Sequence, residues 1–140
     1  MKHHFKRVIG LDIAPNMLAL AKRYIGKAGN IQLLLIENDI FPVAGSSVDY
    51  VYSVIVFQHI YYREVIQRYL RETRRVLKTG GLVRIQTNKG KPGTSEYHGH
   101  FYKSLEDFAA EFMNTGLKVI DARQKLWEGS YLWVTATKTS

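Results

Sequence analysis

The stretch FKRVIGLDIAPNMLALAKRY, Phe5–Tyr24, decides how the whole chain is read. Arg7–Leu11 is short and rich in β-branched residues, the pattern of a buried parallel strand. It runs into an acid, Asp12. Pro15 then stands at a favourable first helical position. Met17, Leu18, Ala21 and Tyr24/Ile25 recur at helical spacing, and Gly26 can end the helix. In nucleotide-binding folds the acid at the end of such a strand is the second half of a site, although a carboxylate there is at least as often a helix cap. The first half is a glycine-rich turn on an earlier strand. Met1–Lys6 supplies no such strand or turn, so the chain reads as starting inside a fold.

Working outward, Ile31–Ile36 is a second strand, followed by Asn38-Asp39 and an irregular stretch through Pro42 and Gly45-Ser46-Ser47. Val48–Phe57 opens as a third strand expected to end near Ser53–Val54. Tyr62–Leu77 is the clearest helix: Tyr62, Val65, Ile66, Tyr69, Leu70, Thr73, Val76 and Leu77 form one stripe, with arginines on the other face. Lys78–Gly81 (KTGG) ends it, and Leu82–Thr87 is a fourth strand. Asn88–Tyr102 is a glycine-rich loop. Ser104 and Asp107 resemble a capping box ahead of a helix marked by Leu105, Phe108, Ala109, Phe112 and Met113. Leu117–Gln124 and Tyr131–Lys138 read as a hairpin. This alternation predicts one α/β domain over residues 1–140 with a largely parallel sheet.

Composition bounds the function. The chain has 140 residues, 46% of them hydrophobic, which suits one core. No apolar run approaches the roughly 18 residues of a membrane span, and no secretory signal is visible. Cysteine is absent, which excludes disulfides, thiolate metal sites and cysteine nucleophiles, and fits a cytoplasmic protein. The net charge is +8, and Tyr61–Lys91, with nine Lys/Arg against Glu64 and Glu72, holds +7 of it. Such a run usually marks a solvated helix face, and alternatively an electrostatic footprint for an anionic partner such as nucleic acid. His98 and His100 could chelate, yet spacing fixes no third ligand, so no metal site is expected.

Three residues fall at strand ends, where ligands bind in doubly wound folds: Asp12, Asp39 and Ser53. In order, four motifs extend the pattern: VIGLDIAPNMLALAK, NDIFPVAGSSVDYVYSVIVFQHI, YLRETRRVLKTGGLVRIQT and SLEDFAAEFMNTGLKVIDAR. Over about residues 5–138 the chain resembles a class I S-adenosylmethionine-dependent methyltransferase, seen from that family's second strand onward. The resemblance implies a Rossmann-like sheet with a C-terminal antiparallel hairpin, and S-adenosylmethionine as cofactor. It implies that Asp12 holds the ribose hydroxyls. Ile13 and Met17 pack on the adenine. Asp39 takes the adenine amine, with Ile40 on the ring's other side. Ser53 lines the floor near the cofactor's methionine part. Gln58 and His59 face the methyl-transfer cavity, His59 as the candidate base, and Tyr61, Tyr62, His98 and His100 shape an acceptor cavity. Ordinary core packing is the competing account of Ile13, Met17 and Ile40, and a role capping the strand-to-helix junction is that of His59.

In the family the absent first strand lies between the strands assigned to Arg7–Leu11 and Val48–Ser53. These two strands therefore close up and pair, or a second chain fills the gap, or the fold rearranges. The expectation is a homo-oligomer that hides the exposed edges. Two functions follow: a methyltransferase acting on a small-molecule acceptor, or a non-catalytic, self-associating remnant of that fold that binds nucleic acid through its basic helix face.

Overall fold

The computed structural model describes residues 4–90, 102–126 and 130–140. The elements follow the order that the periodicities predict. Two compact units emerge, Met1–Pro42 and Val43–Ser140.

The first unit is a single βαβ. Strand β1 (Val8–Asp12) pairs in parallel with β2 (Ile31–Leu35), in register from Val8↔Ile31 to Asp12↔Leu35. Helix α1 (Pro15–Ile25) joins them. Pro15 opens it, and Gly26, at φ +62°, closes it with its N–H on the Lys22 carbonyl. A left-handed residue at that place needs glycine. No residue of α1 is buried, although Leu18, Ala21 and Ile25 are half-buried. Its outer stripe of Met17, Leu20 and Tyr24 is exposed. Two strands and one helix cannot build a closed core.

The second unit carries strands β3 (Val48–Ser53), β4 (Leu77–Asn88), β5 (Leu117–Leu126) and β6 (Ser130–Lys138), in the spatial order β3-β4-β6-β5. The β3–β4 pair is parallel; β4–β6 and β6–β5 are antiparallel. The C-terminal hairpin is therefore present as predicted. Strands β1 and β3 belong to different sheets.

Helices α2 (Arg63–Val76) and α3 (Leu105–Asn114) cover one face of this sheet. There Val83, Ile85, Leu132, Val134 and Ala136 meet Ile66, Leu70, Phe108 and Phe112, all essentially inaccessible to water. Full burial of each large apolar side chain contributes about 1.5–3 kcal/mol. The Ser104 hydroxyl accepts from the Asp107 N–H at 3.1 Å, so the expected cap forms. Glu111, fully buried on α3, accepts from Arg63 Nε at 2.5 Å and from Gln67 Nε2 at 3.2 Å. These partners satisfy a charge that would be costly alone.

One boundary differs from the sequence reading. Strand β4 starts at Leu77, directly after α2, and not at Leu82. Leu77 already pairs with Val48, and the register shifts before Tyr50↔Leu82. Gly80, at φ +78°, makes the irregular entry possible. The glycines predicted to stop the helix instead shape the first turn of the strand.

Gly81 is crowded by backbone. A Cβ there would lie 2.8 Å from the Lys78 carbonyl oxygen and 3.2 Å from that of Val48. Both are backbone atoms and cannot swing away. Gly81→Ala is expected to destabilise the protein by about 1–3 kcal/mol. Guanidinium unfolding should show a lower midpoint with an unchanged m-value.

Candidate functional site

The carboxyl ends of the parallel strands carry the candidate residues, and each unit is built separately. In the first unit Asp12 ends β1, half-buried, and its Oδ1 accepts the Ala14 N–H at 2.8 Å. This bond holds the turn into α1. It uses one of about four lone-pair positions of the carboxylate, so the group can still accept from hydroxyls.

Beyond β2, Asn38 and Asp39 both adopt positive φ, +53° and +60°. The Ile40 N–H donates to the Glu37 carbonyl at 3.0 Å, and Glu37 and Ile40 form an antiparallel bridge. Two consecutive left-handed residues closed in this way make a type I′ turn, which Asn and Asp tolerate. It carries Asp39 at its second corner.

Ile13, Met17 and Ile40 are 65%, 53% and 59% exposed. Core packing therefore does not account for them. A cavity of about 320 Å³ lined by Lys6, Arg7, Asn30 and Gln32 opens at the amino ends of β1 and β2, the end opposite Asp12, and takes no part in this arrangement.

In the second unit Ser53 ends β3, opposite Ile85. Ile55 follows at φ +60°, a conformation that a β-branched residue adopts only under strain. Its N–H donates at 2.8 Å to Oε1 of Gln86, a residue 1% exposed. A short 3₁₀ turn, Phe57–His59, comes next. Phe57 is buried against Tyr69, ring centroids 6.4 Å apart, and anchors the turn. This leaves Gln58 half-buried and His59 exposed, with Gln58 Nε2 3.3 Å from His59 Nε2. Tyr61 and Tyr62 are both exposed, and Tyr62 sits at the cap of α2. His98 and His100 lie outside the described residues.

Three arginines of α2 have partners within the fold. Arg63 pairs with Glu111. Arg74 donates to the Gly116 and Ser140 carbonyls, and Arg75 binds Glu72 and the Val43 carbonyl. These guanidinium groups hold the helix to its neighbours.

Sequence reasoning missed Gln86 and Ile55. The alternation in Leu82–Thr87 places Gln86 in phase with Arg84, and a polar residue within a buried strand was the available signal. Nothing local in the sequence marks Ile55.

A family model described as a methyltransferase domain matches residues 1–85. No curated protein matches the sequence. Among solved structures, a chain of the complex between the Haloferax volcanii Trm112 methyltransferase activator and a methyltransferase is 21% identical, with a TM-score of 0.78 over 96% of this chain and 73% of that one. A SAM-dependent methyltransferase from Methanosarcina mazei is 16% identical, with a TM-score of 0.78 over 94% and 82%. A Bordetella parapertussis protein, also 16% identical, matches with a TM-score of 0.74 over 96% of this chain, which spans only 54% of it.

Replacing Ile55 tests whether its backbone is strained. Left-handed backbone costs an L-residue about 1–2 kcal/mol, and glycine gives back roughly 0.5–1 kcal/mol of that in chain entropy. Ile55→Gly should therefore be neutral or stabilising by up to about 1 kcal/mol, where a half-exposed Ile→Gly change elsewhere in the chain would destabilise. Thermal unfolding of the two proteins would show it.

Proposed function

The chain belongs to the methyltransferase domain family and has the fold of S-adenosylmethionine-dependent methyltransferases, and from that premise we propose that it binds this cofactor and methylates a small-molecule hydroxyl or amine. The observation that carries the reading is the pairing of acids with exposed apolar side chains at the carboxyl ends of β1 and β2. Apolar residues left in water beside carboxylates suit a nucleoside, which offers a flat ring and polar hydroxyls together.

The first unit supplies the adenosine contacts. Asp12 accepts from the ribose hydroxyls with the lone pairs that the Ala14 N–H leaves open. Ile13, Met17 and Ile40 give the adenine an apolar surface, and Asp39 takes its amine. These residues fit the nucleoside part of the cofactor. Among the described residues, no glycine-rich strand-to-helix turn stands ready to hold the methionine part.

The cofactor, when bound, supplies a methyl group already activated on a sulfonium. The protein then contributes proximity and alignment, with a base for the acceptor's proton. Ser53 lines the floor near the cofactor's methionine part, Gln58, Tyr61 and Tyr62 shape the acceptor side, and His59 Nε2 receives the proton. His98 and His100 belong to the same proposal through the family resemblance.

A second reading rests on the edges of β1 and β3 that pair with no other strand among the described residues. Unpaired strand edges recruit other chains, so we further propose that copies of this protein associate through them. A nucleic-acid footprint on α2 is not favoured, because Arg63, Arg74 and Arg75 are engaged within the fold.

Two measurements test these readings. Calorimetric titration with S-adenosylhomocysteine should give micromolar binding, about −8 kcal/mol. Asp12→Ala should weaken it about tenfold to a hundredfold, since a hydrogen bond to a charged group is worth roughly 1.5–3 kcal/mol. No heat at millimolar ligand would end the cofactor reading. Light scattering on the same sample should show a mass that grows with concentration; a monomer throughout would remove the edge-pairing proposal.

A further inference from the structure

Gln86 is a buried carboxamide with every polar atom engaged. Its Oε1 accepts from the Ile55 N–H at 2.8 Å, and its Nε2 faces Asn88 Oδ1 at 3.2 Å and Gln58 Oε1 at 3.5 Å. Gln58 Nε2 in turn lies 3.3 Å from His59 Nε2. All of these residues belong to the second unit, at the carboxyl ends of β3 and β4.

The orientation of each group follows from the one before it. A backbone N–H can only donate, so the atom of Gln86 that faces Ile55 must be its oxygen. Its amide nitrogen is then turned toward Gln58 and Asn88, and must meet acceptors there. Gln58 therefore presents its oxygen to Gln86 and its NH₂ to the imidazole. A carboxamide NH₂ has no lone pair to offer, so the ring atom facing it must be an unprotonated nitrogen. In neutral His59 the proton then sits on Nδ1, and Nε2 carries the lone pair.

We propose that Gln86 is a positioning residue for the acceptor site: through the Gln58 amide it fixes His59 in the tautomer whose Nε2 can accept a proton. The inference rests on the methyltransferase reading for its purpose. Its geometry stands on the hydrogen bonds alone. The strained Ile55 belongs to the same device, because its N–H is the fixed donor from which the chain of orientations starts. The ligand class that this site serves is an acceptor with a removable proton, a hydroxyl or an amine, which displaces the Gln58 NH₂ from Nε2.

The test is the protonation pattern of the His59 ring, read by ¹⁵N NMR on the full chain at alkaline pH, above the usual imidazole range of about 6.5. The expected result is a proton on Nδ1 and none on Nε2. Gln86→Glu keeps an acceptor for the Ile55 N–H but removes the donor toward Gln58. The Gln58 amide should then turn its NH₂ to the new carboxylate and its oxygen to the ring, and the proton should move from Nδ1 to Nε2. Gln58→Met removes the relay while leaving the bonds of Gln86 to Ile55 and Asn88 in place, and should give a mixture of tautomers, which keeps the test available if the Gln86 variant does not fold.

A wild-type His59 protonated on Nε2 overturns the proposal. So does a folded Gln86→Glu protein with an unchanged tautomer. Titration with S-adenosylhomocysteine on the same samples separates the two readings: absent binding with the expected tautomer change rejects the cofactor site and leaves the role of Gln86 standing, while tight binding with the wrong tautomer rejects only the role of Gln86.

Discussion

The second unit depends on one constraint, the pairing of β4 on both of its edges. One edge takes a parallel partner, β3, and the other an antiparallel partner, β6. A strand held on both sides cannot shift its register without moving every side chain to the wrong face. Val83, Ile85 and Thr87 therefore point to the helices, and Arg84 and Gln86 to the other side. The entry to β4 is fastened as well. Lys138 Nζ donates to the Leu77 carbonyl at 2.8 Å, and the Thr137 hydroxyl to that of Gly81 at 3.0 Å. The last strand thus locks the first residues of the central one, and Gly81 lets the backbone of β3 come close at Val48.

Polar groups follow the same geometry. Glu111 would be a liability on a buried helix face, yet Arg63 and Gln67 reach it from α2 and tie the two helices together. On the open side of the sheet, the Arg84 guanidinium lies 4.8 Å from the Trp133 ring centre, and Tyr52 stands beside that ring at 6.5 Å. A cation over an aromatic face gains about 0.5–1 kcal/mol where exposed. Charge that looks unspecific along the sequence is thus spent on particular contacts, and the arginines of α2 show this best.

The first unit is organised differently. Its strands are short, its helix has no buried residue, and its apolar side chains cluster with acids at one end. What it provides is a set of groups at strand ends, held by a helix entrance and a type I′ turn. The second unit supplies a strained loop braced from below by Gln86.

The fold was largely legible in the sequence because its signals are local. Helical spacing marked Ile66, Tyr69, Leu70, Thr73 and Val76 as one stripe, and the structure buries all five. Ser104 and Asp107 announced their cap, and Pro15 and Gly26 the limits of α1. The candidate residues at strand ends were legible for the same reason, since a strand's end is a matter of pattern. Three things were not. The exposure of Ile13, Met17 and Ile40 depends on what covers them, and period alone cannot separate a core residue from an open one. The early start of β4 required knowing that Val48 lies opposite Leu77. The bracing of Ile55 by Gln86 joins residues 31 apart in the chain. Sequence determines which segments form strands and helices, because backbone preference and side-chain period act over a few residues. Tertiary structure decides which polar atoms meet, because a hydrogen bond depends on distances that only the packed sheet sets.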